Sequence, residues 1–205
     1  MLVDLNIKAF LEETASNAPV PGGGSIAALS GAVSAALTEM VANLTIGKKG
    51  YEGLEEEMQQ IAKDAAKLRE KLAADIDRDS DAFNQVMAAF KLPKGTEEEM
   101  NARKAAIQEA TKNAALVPLD VATDAFNMMT MVAAVVEKGN KNAVTDGAVA
   151  AMMARTAVLS ALYNVKINLG SIKDEAFVKE VSGKVQKIET EVTAAEKEIL
   201  SKVVL

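Results

Sequence analysis

Apolar positions recur at steps of three and four through most of the chain. In residues 4–17, Leu5, Ile7, Phe10, Leu11 and Thr14 predict a first amphipathic helix. A longer seam runs through residues 52–90, from Leu54, Met58, Ile61 and Ala65 to Leu68, Leu72, Ile76, Phe83, Val86 and Phe90. Its alternating steps are the register of a helix packed in a bundle. Thr96 with Glu99 makes a capping box that opens a helix reaching about Leu116. Pro118 then predicts a kink or junction before a mostly apolar segment over 119–136. Thr145 as N-cap, with Asp146 complementing the dipole, predicts a helix over 146–169. A last seam through Phe177, Val181, Val185, Ile188, Val192 and Ile199 gives a final helix over about 174–203. The expectation is an all-α, multi-helix bundle of about seven helices, with residues 1–205 forming one domain.

Residues 26–46 break the amphipathic rule. Glu39 is the lone formal charge, and most side chains are Ala, Ser, Gly, Val or Leu. Such a helix is apolar on all sides and small enough for neighbours to approach closely, so it is placed at the centre of the bundle. Before it stands Pro19-Val20-Pro21-Gly22-Gly23-Gly24-Ser25. Glycines there bare the N–H groups of a helix N-terminus, which attracts anions. A tight turn with Ser25 as N-cap accounts for the same residues. Lys48 and Lys49, past the other end, are further candidates for meeting an anion. The spacings of a phosphate loop and of a dinucleotide site are absent.

One seam position is wrong for a core: Asp79, with Ile76 before it and Phe83 and Val86 after it. A carboxylate there is desolvated, which raises its pKa. It either bonds to a neighbouring helix as a structural group or lines a cavity. Asp77 sits on an adjacent face and is a second catalytic candidate. The chain has no Cys and no His. Disulfides, thiol chemistry, histidine triads and ordinary zinc sites are therefore excluded, and no metal is expected. Acid–base work must fall to Asp, Glu, Lys, Tyr, backbone or water. A net charge of −6 disfavours nucleic acid as a partner. The polar residues within 26–46 and the missing basic leader argue against a membrane role and for a cytoplasmic protein. Asn140 and Asn142, in a polar loop, are candidates for presenting amides to a polar ligand.

Several stretches in order carry a resemblance: PVPGGGSIAA from Pro19, MVANLTIGKKGY from Met40, DRDSDAF from Asp77, KLPK from Lys91, VPL from Val117, GNKNAVTD from Gly139 and NVKINLGSIKD from Asn164. Together they resemble the formiminotetrahydrofolate cyclodeaminase family, which includes stand-alone methenyltetrahydrofolate cyclohydrolases and the cyclodeaminase domain of formiminotransferase-cyclodeaminase. The resemblance implies an all-α homodimer, a folate substrate that can carry a polyglutamate tail, and an active-site aspartate that maps onto Asp79. It implies no cofactor beyond tetrahydrofolate as substrate. Substrate-binding candidates are then Gly22, Gly23, Gly24, Ser25, Lys48, Lys49, Asn140, Asn142, Asp146 and Asn164.

The expected reaction converts 5-formiminotetrahydrofolate to 5,10-methenyltetrahydrofolate and ammonia, with Asp79 as general acid/base. Cyclohydrolysis of 5,10-methenyltetrahydrofolate at the same site is the alternative. A third reading, of a different class, is a non-catalytic folate-binding or helical assembly protein. That reading expects Asp79 to be tied up in hydrogen bonds with no adjacent pocket.

Overall fold

The structure, a computed structural model, describes residues 1–204. Among these are six α-helices and no strand: α1 Ile7–Thr14, α2 Gly23–Asn43, α3 Glu55–Phe90, α4 Glu97–Lys138, α5 Val144–Leu169 and α6 Glu175–Ser201. Short 3₁₀ turns lie at Leu2–Asp4, Glu52–Leu54 and Lys141–Ala143. From α2 to α6 successive helices run antiparallel. Ser25 meets Ile76 while Glu39 meets Arg69, and Lys138 meets Glu57 while Arg78 meets Asp120.

The small-residue helix is central. α2 packs between α3 and α5 and also touches α4. Ser34 donates to the Ala150 carbonyl at 2.7 Å, which satisfies a fully buried hydroxyl and fixes α2 against α5. At Gly31 a Cβ would come within 3.1 Å of the Leu72 side chain. Glycine at that position lets α2 and α3 close on each other. α2, α4 and the 141–169 segment are long and apolar enough to cross a membrane by length and composition. In this fold much of that apolar surface is met by the neighbouring helices.

Four expectations are corrected. Residues 96–116 and 119–136 form one helix, α4, which passes through Pro118. Proline has no N–H for the carbonyl four residues earlier; the Asn168 amide supplies the missing bond to the Ala114 carbonyl at 2.9 Å, so the helix continues. The N-cap of α2 is Gly22, and Ser25 lies inside the helix. Thr145 caps nothing: α5 starts at Val144 without a side-chain cap, and Asp146 sits in its first turn. The first helix is shorter than expected, with Asn6 as its cap.

Candidate active site

The 52–90 seam changes character at Asp79. Up to Ile76 most of its members are buried against the core, whereas Phe83 and Val86 are half-exposed. Burial shifts instead to Ala82, which packs against Ala114 and Val117 of α4, and to Ala89. The second part of the apolar stripe therefore faces a cleft, and Asp79 stands at its inner end.

This cleft has a volume of about 320 Å³. Asp79, Phe83 and Val86 of α3 form one wall, and Asn164, Ile167 and Asn168 of α5 form the other. The turn from Pro19 to Gly24 closes one end, and Ala114 of α4 contributes to the lining. The volume is at the small end for a ligand site.

Asp79 is held by the first turn of α2. Ser25 Oγ lies 3.0 Å from Asp79 Oδ2, 3.0 Å from the Ile76 carbonyl and 3.1 Å from Ser80 Oγ. A serine hydroxyl has one proton to donate. When the Ile76 carbonyl takes it, the bond to Asp79 is best made by a protonated carboxyl. Burial pushes the Asp79 carboxyl above its ordinary range, opposed by the Ser25 hydroxyl and backbone N–H. No Lys or Arg pairs with it among the described residues. Arg78, next in sequence, is drawn away by Asp75 and Asp120. Gly24 is required here by space, because a Cβ at that position would overlap the Asp79 carboxyl.

The candidate residues separate into two groups at opposite ends of α2. Gly22, Gly23, Gly24, Ser25, Asp79 and Asn164 gather at the cleft. Lys48, Lys49, Asn140, Asn142 and Asp146 lie at the other end, about 30 Å away at 1.5 Å per helical residue. Asn140 is largely employed there. It accepts from Lys48 Nζ at 2.9 Å and the Asn142 N–H at 3.0 Å, and donates to the Leu44 carbonyl at 2.9 Å. Its amide thus joins the α2 C-terminus to the loop, so most of the hydrogen-bonding capacity expected to meet a ligand is used within the fold. Asn142 and Lys49 are exposed.

Asp77 does not reach the cleft. Its carboxylate accepts the N–H groups of Leu2 and Val3 at 2.6 and 3.2 Å and anchors the N-terminal turn. Asn168 was missed by the sequence reading. Its signal was present as the i,i+4 partner of Asn164, but nothing in the pattern pointed to Pro118 as the reason for it.

A larger, more open groove of about 640 Å³ lies between α3 and α4. Glu56, Glu57 and Asp64 border it, and Glu57 and Asp64 are already paired with Lys138 and Lys67. Its acids are exposed or paired with lysines, and those of the first turn of α3 already occupy that helix N-terminus; the smaller cleft differs in holding a desolvated acid without a cation partner among the described residues.

Residues 6–187 match the profile of the formiminotransferase-cyclodeaminase family. A methenyltetrahydrofolate cyclohydrolase from Methylorubrum extorquens is 45% identical over 85% of this chain and 84% of its own length. The formimidoyltransferase-cyclodeaminases of chicken and rat are 36% and 34% identical over 91% and 86% of this chain. The chain spans about a third of their length, 35% and 32% respectively. Among solved structures, formiminotetrahydrofolate cyclodeaminase from Thermotoga maritima superposes with a TM-score of 0.88 at 33% identity, covering 99% of this chain and 98% of that one.

Proposed function

Because this chain belongs to the formiminotransferase-cyclodeaminase family, we propose that its cleft performs one-carbon chemistry on tetrahydrofolate, with Asp79 as the general acid/base. The observation that carries the reading is a half-buried carboxyl, without a cation partner among the described residues, opening onto a ligand-sized cleft. The non-catalytic reading expects no such opening.

In cyclodeamination, N10 of 5-formiminotetrahydrofolate attacks the formimino carbon, and the resulting tetrahedral centre expels ammonia. The leaving nitrogen must be protonated. Starting from the protonated formimino group, the leaving nitrogen needs one further proton; Asp79 delivers it and is refilled by the one that N10 gives up, so the carboxyl ends as it began. Its raised pKa keeps the proton available nearer neutrality than an ordinary aspartate would. Fixing N10 against the carbon supplies much of the remaining rate.

Cyclohydrolysis is the second reading, favoured by the 45% identity to the Methylorubrum extorquens enzyme over most of both chains. There Asp79 takes a proton from water as it adds to the methenyl carbon. The ring then opens to 10-formyltetrahydrofolate.

A homodimer is part of the proposal. α2 and α5, packed on each other, leave Val33, Met40, Leu44, Val149, Met152 and Tyr163 exposed. Apolar surface on two adjacent helices suits a second copy. Antiparallel pairing of two α2 helices would bring the Lys48 and Lys49 of each subunit toward the cleft of the other. An anionic, polyglutamylated tail leaving the cleft would meet them there.

The deciding experiment follows the methenyltetrahydrofolate absorbance band on purified protein. Its appearance from 5-formiminotetrahydrofolate supports cyclodeamination, and its accelerated loss supports cyclohydrolysis. Binding without either change returns the non-catalytic reading.

A further inference from the structure

The two walls of the cleft are chemically unlike. The α3 wall beyond Asp79 is apolar, formed by Phe83 and Val86. The α5 wall carries Asn164 and Asn168, one helical turn apart and therefore on one face. What these asparagines offer a ligand depends on which end of each amide is already used.

Pro118 settles the question for Asn168. Having no N–H, it leaves the Ala114 carbonyl without its helical partner. Asn168 Nδ2 donates to that carbonyl at 2.9 Å and to the Asn164 carbonyl at 2.9 Å. Only the NH₂ end of an amide can serve two carbonyl oxygens, because a reversed amide would set three oxygens against one another. Asn164 Nδ2 is likewise committed, to the Ser160 carbonyl at 2.9 Å. Neither Oδ1 accepts a hydrogen bond from the described residues, and neither is sealed from solvent. The α5 wall thus presents two acceptor oxygens, whose orientation is fixed because each Nδ2 is bonded to backbone; both Nδ2 hydrogens of Asn168 and one of Asn164 are used in this way.

Paired acceptors select a ligand edge rich in N–H and repel carboxylates. Resting on the folate reading above, we propose that Asn164 and Asn168 read the donor edge of the pterin, its 2-amino group and an adjacent ring N–H. They act as specificity and positioning residues that turn N5 and N10 toward Asp79. The opposite apolar wall covers a face of the ring. The anionic tail is turned away from α5 and out of the cleft.

The test compares each tetrahydrofolate substrate with its analogue carrying methyl in place of the 2-amino group. Wild-type protein should prefer the natural substrate by about 10–100-fold in kcat/KM, since the bound analogue covers the two acceptors and leaves them unpaired. In Asn164→Ala and Asn168→Ala, checked for helical content, that preference should fall to within a few-fold. The change should lie mainly in KM, with an unaltered pH profile. A wild-type enzyme that turns over both compounds equally would overturn the proposal, and this arm needs no variant to fold. Folded variants that keep the full preference would overturn it too. Wild-type protein inactive toward every folate tested would refute the folate reading itself, and this inference with it.

Discussion

Asp75 and Asp79 stand one turn apart on α3 and differ in nearly every neighbour. Asp75 is 3% exposed and lies between two cations, Lys71 Nζ at 3.2 Å and Arg78 Nη1 at 3.1 Å. Those cations reach on to Asp124 and Asp120 of α4, so alternating charges lace the two helices together. Asp79 has a serine, a backbone N–H and a cleft. A buried carboxylate surrounded by cations is a structural joint. One without them is pushed toward its neutral form and is free to exchange a proton. On this pair, a buried acid is left available for proton exchange only where the counterions are withheld.

The largest expected effect comes from removing the unpaired member. Asp79→Asn should lower turnover by about 10²–10⁴-fold, the range for a positioned acid–base group. Helical content should be unchanged. A folded variant with full activity would end the contrast with Asp75. The stability change has a defined sign. The folded-state pKa of Asp79 lies above its unfolded value. Its contribution is therefore fully present below the unfolded pKa and is lost as pH rises through the folded one. Asn has no such proton, so the variant should gain on the wild type in melting temperature across that window.

Gly24→Ala addresses the same carboxyl from the opposite side. The new Cβ would displace Asp79 from its seat. Turnover should drop at least about tenfold, since small misplacements of a catalytic group are costly. Far-ultraviolet circular dichroism should stay near that of the wild type. Retained activity would mean that the seat is not needed.

Asp75→Asn should do the reverse, harming stability and sparing chemistry. Lys71 and Arg78 are each nearly half exposed and keep their α4 partners, so the cost is set at about 1–3 kcal/mol, below that of a fully enclosed pair. Thermal unfolding should move down by several degrees. Activity per folded molecule should remain within a few-fold. Severe loss of turnover without loss of stability would place Asp75 in the site.

The smallest effect is expected at the far end of α2. Lys48→Ala with Lys49→Ala should weaken polyglutamylated substrate by a few-fold more than monoglutamate, in keeping with exposed charge pairs of modest strength. Equal effects on both would remove the tail-binding role and the antiparallel arrangement that motivates it.

Much of this was legible from periodicity. The buried positions of α6, Val181, Val185, Ile188, Val192 and Ile199, are all members of the seam read from sequence. Asp79 was conspicuous because one charge interrupted a run of apolar seam positions. The interruption at Pro118 misled, because the group that repairs it, Asn168, lies 50 residues away on another helix. Asp75 stayed hidden for a related reason. Off the seam and flanked by Lys71 and Arg78, it reads as solvated surface, and only the approach of α4 buries it. Asp77 lies only two residues from Asp79, and proximity in sequence suggests a shared site. The helical rotation between them carries it instead to the N-terminal turn. Periodicity reports a residue's own helix and is silent about what another helix brings.

The most direct measurement is the carboxyl titration of Asp79 in the free protein, followed by carbon NMR and identified by the signal missing from Asp79→Asn. It should be set beside the pH dependence of kcat/KM. Asp79 should titrate above the ordinary aspartate range, and one limb of the rate profile should share its midpoint. That limb falls with rising pH if the carboxyl acts as an acid in cyclodeamination, and rises if it acts as a base in cyclohydrolysis. An Asp79 signal that titrates with the surface aspartates, or a rate limb that persists unchanged in Asp79→Asn, would contradict the account.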